Sequence, residues 1–95
     1  MPGKDAYLDG LVVEIEDLAG RVALVRNRFA RQKVNVKLAH YGELEYVRSR
    51  FAEFRNRILD LEGADDSEAA RILEAAEVAR KDLVYAVDSL LAVLS

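Results

Sequence analysis

The amino-acid sequence predicts an all-α protein, a three-helix antiparallel bundle or coiled-coil-like hairpin that assembles into a larger helical bundle. Three observations support this fold class. Apolar residues recur at intervals of three and four along most of the chain, which is the spacing of an amphipathic helix. The only proline is Pro2, and few turn signals interrupt the pattern. The 95 residues are 52% apolar and 33% charged, a composition typical of one globular domain, residues 1–95.

The first helix is predicted over about residues 5–38. A seven-residue repeat gives it two seam positions, and only Gln32 among the nine is polar: Leu8, Leu11, Ile15, Leu18, Val22, Val25, Phe29, Gln32 and Val36. Because residues 34–38 are rich in poor helix formers, an end near Gln32 is the alternative. Gly20 lies inside this helix and predicts either a close approach of a neighbouring helix or a slight bend.

The second helix is predicted over residues 43–62, after a break at residues 40–42. Its seam is apolar throughout: Leu44, Val47, Phe51, Phe54, Ile58 and Leu61. Gly63 is a candidate left-handed cap for its C-terminus. Asp65 with Glu68 three places later approximates a capping box, which predicts that a third helix begins here.

The third helix is predicted over residues 66–94. Its seam begins with small residues and ends with larger ones: Ala69, Ile72, Ala76, Ala79, Leu83, Ala86, Leu90 and Val93. A middle helix of about 30 Å is too short to cover two longer neighbours. Residues 83–94 are apolar on nearly every side, so we expect surface there to be covered by a second copy of the chain or by another helical protein. The predicted interaction residues in this segment are Leu83, Val87, Leu90, Leu91 and Leu94.

Charge is distributed unevenly along the chain. Residues 21–57 hold ten Lys or Arg against three acids, whereas residues 1–20 hold one against five and residues 58–95 hold three against nine. The basic middle has three interpretations: pairing with the acidic flank of the third helix, docking of an acidic protein partner, or nucleic-acid binding through residues 26–57. Arg48 and Arg55 are its predicted interaction residues. The overall pI of about 5.1 argues against nucleic acid.

The sequence contains few residues of the types that form catalytic or metal-binding sites. The chain has no Cys and one His, which excludes cysteine nucleophiles, thiolate metal sites and most nucleophile–base pairs. His40 with Glu43 lacks further ligands for a metal, and glycine-rich phosphate loops are absent. We therefore predict no catalytic, cofactor-binding or metal-binding residue. A small helical enzyme or ligand carrier stays an alternative, and it requires an enclosed polar cavity lined by Arg21 or Arg28 with a buried Glu.

The sequence therefore predicts a non-enzymatic module for protein–protein interaction or assembly: an adaptor, a small chaperone or a structural subunit. A nucleic-acid-associated regulator that uses residues 26–57 is the alternative, and an enzyme or carrier the second alternative. No signal peptide precedes the first helix, and residues 83–94 are too short to span a bilayer and contain Asp88. A cytoplasmic location without membrane contact is the corresponding expectation.

Overall fold

The protein is an all-α three-helix bundle. The computed structural model describes residues 4–94, which form α1 (Lys4–Ala30), α2 (Val34–Gly63) and α3 (Asp66–Leu94). Each helix packs against the other two, and the bundle measures 50 × 19 × 17 Å. Short turns join the helices, so α2 runs antiparallel to both neighbours. The predicted all-α three-helix bundle is confirmed.

The core between the three helices is entirely apolar. Within residues 5–94 no polar or charged side chain is buried, and the largest side chains excluded from water are Phe54, Leu61, Leu83 and Leu90. These lie on the predicted seams of α2 and α3. Ala76 and Ala79 are buried in the first half of α3, where the seam residues are small. A small side chain allows a neighbouring helix to approach closely. Each large side chain stabilises the fold by about 1.5–3 kcal/mol through its burial.

The turn between α2 and α3 lies where the sequence predicts it. Helix α2 ends at Gly63, and the Asp65 carboxylate accepts a hydrogen bond from the Glu68 backbone N–H at 3.0 Å, which caps the start of α3. The expected left-handed conformation of Gly63 is wrong, because no residue within 4–94 has a positive φ. The chain instead leaves α2 through extended backbone at Ala64, with φ −84° and ψ 150°.

The turn between α1 and α2 lies at residues 31–33. The alternative end near Gln32 is therefore confirmed, whereas the predicted break at residues 40–42 and the bounds 5–38 and 43–62 are wrong. Lys33 is extended, with φ −67° and ψ 156°, and the helix restarts at Val34. The Gln32 side-chain amide donates a 3.0 Å hydrogen bond to the Leu94 carbonyl at the end of α3. The one polar seam residue therefore marks the turn, and Gly42 lies inside α2.

This shift makes α2 as long as its neighbours. Its 30 residues rise about 45 Å, which is enough to cover α3 along its whole length. As a result Leu83, Val87 and Leu90 are at most 1% exposed. The expectation that residues 83–94 carry more apolar surface than the bundle can cover is wrong. Only side chains on the outer side of this segment, such as Tyr85 and Val93, remain in solvent.

The glycines inside α1 and α2 are not explained by packing within the chain. A Cβ atom added at Gly20 or Gly42 would meet no heavy atom of the described residues within 4 Å. The predicted close approach of a neighbouring helix at Gly20 is therefore wrong. No helix in the described part of the chain, residues 4–94, is both long and apolar enough to cross a membrane.

Candidate interaction surface

The most distinctive surface of the bundle is a row of largely exposed side chains along one side of α2. We call it the α2 stripe; its members follow one another at intervals of four and three residues, and they are Val34, Leu38, Tyr41, Glu45, Arg48, Ala52, Arg55 and Leu59. Intervals of this kind align residues along one side of a helix. The stripe is apolar at both ends and charged in its middle.

The apolar ends of the α2 stripe are strongly exposed. Val34 is 70% exposed, Leu38 76%, Tyr41 58% and Leu59 57%. Single exposed apolar residues are ordinary on protein surfaces, but several on one helix side are typical of a contact surface. None of the four belongs to the buried core, whose α2 residues precede the stripe positions along the helix, as Ile58 precedes Leu59.

A groove between α1 and α2 borders the middle of the stripe. Its volume is about 420 Å³, and it is lined by Ala19, Val22, Ala23, Arg26, Arg48, Phe51, Ala52 and Arg55. The apolar lining comes from both helices, and three guanidinium groups surround it. Arg48 pairs with Glu45 of its own helix at 3.2 Å. Within residues 4–94, Arg26 and Arg55 take part in no ion pair, so two cations at this groove are available to an external group.

Two ion pairs between helices in the described residues lie on the side of α1 that faces α3. Arg21 lies 3.9 Å from Asp88 and Arg80 lies 3.6 Å from Glu14, and both pairs join α1 to α3. Within the described residues, the basic residues of 26–57 pair only inside α2, as Arg57 does with Glu53. The predicted pairing of the basic middle with the acidic flank of α3 is therefore wrong for residues 26–57 and holds only for Arg21.

The groove between α1 and α3 contains Arg21, one of the arginines named above for an enzyme or carrier site. It has a volume of about 270 Å³ and is lined by Glu14, Asp17, Leu18, Arg21, Arg80 and Val84. Each guanidinium is held by two carboxylates: Arg21 by Asp17 and Asp88, and Arg80 by Glu14 and Glu77. The hydrogen bond from Arg80 holds the pKa of Glu77 below its ordinary value, against a smaller opposing effect of partial burial.

This α1–α3 groove is not the enclosed polar cavity that the enzyme or carrier alternative predicts. It is open to solvent, and the Glu14 side chain in it is 45% exposed. One Glu14 oxygen, Oε2, is shielded from water without a hydrogen-bond partner, but it faces Arg80 at 3.6 Å. Because both cations are already neutralised by carboxylates of the chain, the groove offers no surplus charge to an acidic substrate.

His40 lies inside α2 instead of in a turn. Its Nδ1 atom is 3.1 Å from Glu43 Oε1, and the side chain is 24% exposed. No third His, Asp or Glu joins the pair to form a metal-binding group anywhere in residues 4–94. The two side chains form a local hydrogen bond on the helix surface.

A third groove, between α2 and α3, is the most apolar of the three. Its volume is about 280 Å³, and Gly42, Glu43, Tyr46, Tyr85, Ala86 and Ser89 line it. The Arg50 guanidinium lies 5.5 Å from the centre of the Tyr46 ring, in a cation–π arrangement. Its lining has no pattern of charge or shape that favours one kind of partner.

The structure separates the predicted interaction residues into two groups. Leu83, Val87, Leu90 and Leu94 belong to the core and Leu91 is half-buried, whereas Arg48 and Arg55 are exposed on the α2 stripe. The apolar members of that stripe were not identified from the sequence. The signal that identifies them is the spacing of Val34, Leu38 and Tyr41, continued by Leu59 in the same phase.

Comparison with protein-family models, with curated proteins and with solved structures gives no match for this chain.

Proposed function

We propose that the protein is a non-enzymatic assembly module that binds another helical surface through the α2 stripe. The observation that carries this proposal is the exposure of Val34, Leu38, Tyr41 and Leu59 on one side of one helix. The bundle has a complete core without them, so the surface is already formed before a partner arrives. Binding to a preformed surface avoids the entropy cost of ordering a segment.

The physical basis of binding is removal of this apolar surface from water. Each Å² of apolar area that a partner covers contributes about 25 cal/mol, before the cost of association is subtracted. The charged middle of the stripe adds selectivity, since a partner has to match Glu45, Arg48 and Arg55. An adaptor, a small chaperone and a structural subunit all use such a surface, and the cytoplasmic location stays a prediction.

The test combines light scattering at two protein concentrations with binding of an apolar dye. If the chain self-associates, the stripe is covered and we expect the mass to increase with protein concentration. If it stays monomeric, the stripe is accessible and we expect the dye to bind it and fluoresce. Leu38→Lys removes apolar area from the stripe and is expected to reduce whichever signal is seen. Val78→Lys is the matched control, since Val78 is 58% exposed on α3, outside the stripe.

Two results contradict the proposal. One is a protein that stays monomeric at both concentrations and binds no dye. The other is an equal effect of Leu38→Lys and Val78→Lys, because general surface hydrophobicity would then explain the signal. Circular dichroism of both variants shows that the fold is retained.

A second candidate function is binding of a nucleic acid or another polyanion at the α1–α2 groove. The specific observation is the convergence of Arg26, Arg48 and Arg55 on one groove, with Arg26 and Arg55 unpaired within residues 4–94. Arginine forms forked hydrogen bonds with phosphate, and an apolar groove floor accommodates a stacked base.

Fluorescence anisotropy with single- and double-stranded oligonucleotides at low salt tests this candidate. Binding through the groove is expected to fall steeply as salt rises and to be lost in the double variant Arg26→Ala/Arg55→Ala. Arg71→Ala/Lys81→Ala is the control, because it removes the same charge from the surface of α3. An absence of binding at low salt, or equal losses in both double variants, excludes the groove as a nucleic-acid site.

A further inference from the structure

We propose that the partner of the α2 stripe is a second copy of the chain, bound with the two α2 helices antiparallel about a two-fold axis midway between Glu45 and Arg48. This proposal rests on the assembly function proposed above and names its partner. The argument rests on the size, polarity and charge of the side chains that this arrangement pairs.

The spacing of the α2 stripe determines which of its positions pair in an antiparallel arrangement. Its eight positions are separated by 4, 3, 4, 3, 4, 3 and 4 residues. A two-fold rotation therefore places every member of one stripe opposite a member of the other, as an interface between identical surfaces requires. The pairs are Val34 with Leu59, Leu38 with Arg55, Tyr41 with Ala52, and Glu45 with Arg48 of the second copy.

The side chains in these pairs complement one another in size and polarity. At each end, Val34 meets an aliphatic Leu59. Farther in, the large ring of Tyr41 lies opposite the small Ala52, which is the alternation that lets two helices interlock. Arg55 extends its aliphatic stem along Leu38 and keeps its guanidinium group in solvent at the edge.

The charges select the antiparallel arrangement over the parallel one. Glu45 and Arg48 already pair within one chain at 3.2 Å. Antiparallel association brings two such pairs together with alternating signs, so each charge gains a second opposite neighbour. Parallel association places Glu45, Arg48 and Arg55 each opposite its own copy, which gives three like-charge contacts.

The register is fixed by the number of pairs that form. All eight positions of the stripe find a counterpart when the axis lies between Glu45 and Arg48. A shift by seven residues pairs only six of the eight positions within the two stripes. When the shift places Tyr41 opposite Leu59 of the second copy, the apolar Leu38 lies opposite the carboxylate of Glu62, which continues the same spacing in α2, and the exposed Val34 has no counterpart.

Cysteine cross-linking tests the orientation and the register together, because the chain has no cysteine of its own. Tyr41→Cys and Ala52→Cys are made as separate variants, mixed and mildly oxidised. In the proposed dimer, position 41 of one copy lies opposite position 52 of the other, so the mixture forms a disulfide-linked dimer. Identical positions lie about 16 Å apart, beyond disulfide reach, so each variant alone forms at least about ten times less.

Two further mixtures serve as controls for this experiment. Tyr41→Cys with Leu59→Cys reports the register shifted by seven residues, and Tyr41→Cys with Ala70→Cys reports random collision with the exposed surface of α3. Both are expected to cross-link no faster than single variants. Equal or faster cross-linking in either control, or in Tyr41→Cys alone, overturns the proposed arrangement.

Charge reversal provides a second test that does not depend on cross-linking. Glu45→Arg places two cations against Arg48 of each copy, and Arg48→Glu places two anions against Glu45. Each variant alone is expected to self-associate at least about tenfold more weakly than the unmodified chain. An equimolar mixture of the two restores association, since every charge then faces its opposite. Failure of the mixture to recover contradicts the pairing.

The outcomes distinguish this proposal from the assembly function on which it rests. Suppose that the chain stays monomeric and that dye binding is lost in Leu38→Lys but kept in Val78→Lys. This result supports the assembly function and excludes a second copy as the partner. A dimer without the 41–52 cross-link retains assembly and excludes this register. A monomer without dye binding excludes both.

Discussion

Residues 83–94 of α3 and the α2 stripe are both rich in apolar side chains, but the bundle covers only the first. Leu83 and Leu90 are at most 1% exposed, whereas Leu38 and Val34 are at least 70% exposed. Both segments lie in regular helix, and the difference comes from their neighbours. Residues 83–94 lie between α1 and α2, whereas neither helix covers the apolar ends of the stripe, and its middle borders the groove with α1. Apolar content therefore does not predict exposure unless the lengths of the neighbouring helices are known.

The largest expected effect comes from truncating one leucine in each region. Leu90→Ala is expected to reduce the free energy of unfolding by about 2–5 kcal/mol, because it removes buried methyl groups and leaves a cavity. Leu38→Ala is expected to change it by no more than about 0.5 kcal/mol, because Leu38 is 76% exposed. Urea denaturation at low protein concentration measures both. Similar losses in the two variants would show that the stripe is covered within the monomer.

A smaller effect is expected at the polar contact that closes the covered end of α3. Gln32→Ala removes the 3.0 Å hydrogen bond to the Leu94 carbonyl and is expected to lower the free energy of unfolding by about 0.5–1.5 kcal/mol. Hydrogen exchange of the last turn of α3 should increase with it. Asn27→Ala, at an exposed position of α1, is the comparison, and an equal loss there would contradict a specific role for Gln32.

Replacing a glycine close to the stripe is expected to stabilise the monomer instead of destabilising it. Gly42→Ala is expected to raise the free energy of unfolding of the monomer by about 0.5–1 kcal/mol, because alanine favours the helix and its Cβ meets no atom within 4 Å. Thermal unfolding at low concentration measures the change. A destabilised monomer would mean that α2 is not continuous through residues 40–42.

The smallest effect concerns the ion pair of Glu77 with Arg80. Because the pKa of Glu77 is lowered in the fold, its contribution is present above the ordinary value of 4.5 and is lost as the pH falls through the folded value. The side chain is 49% exposed, so solvent screening limits this contribution to a few tenths of a kcal/mol.

Glu77→Gln measures this contribution directly. The variant is expected to be slightly less stable than the unmodified chain at neutral pH, and the difference should shrink under acidic conditions. Glu74→Gln, which alters a carboxylate without an ion pair in residues 4–94, controls for the general change in charge. A difference that grows as the pH falls would contradict the lowered pKa.

Much of the fold follows from the sequence because the core seams are regular. Phe54, Leu61 and Leu83 are buried where the predicted seams place them. The turn after Gly63 is marked by Asp65, whose carboxylate caps α3 as its position in the sequence indicates. Both features depend on neighbouring residues, and local patterns determine them well.

Local patterns support two positions for the first turn. The poor helix formers at residues 34–38 favour the correct end near Gln32, but the seven-residue repeat favours a longer helix. The seven-residue repeat continues from Phe29 to Val36 across the turn, because both residues are directed toward the same core from two different helices. The contact that favours a turn at Gln32 comes from Leu94, which is 62 residues away. A break at residues 40–42 makes the predicted α2 too short and assigns residues 34–38 to the first helix. It thereby separates Val34, Leu38 and Tyr41 from the rest of the α2 stripe.

The short turns also set the order of events when the chain is made. Three residues join α1 to α2 and two join α2 to α3, so adjacent helices meet without closing a long loop. Helical bundles with such local connections fold within microseconds to milliseconds. Encounters between two copies at cellular concentrations are slower than this. Assembly through the α2 stripe is then a docking of finished bundles, and its rate should follow protein concentration while the folding rate stays constant.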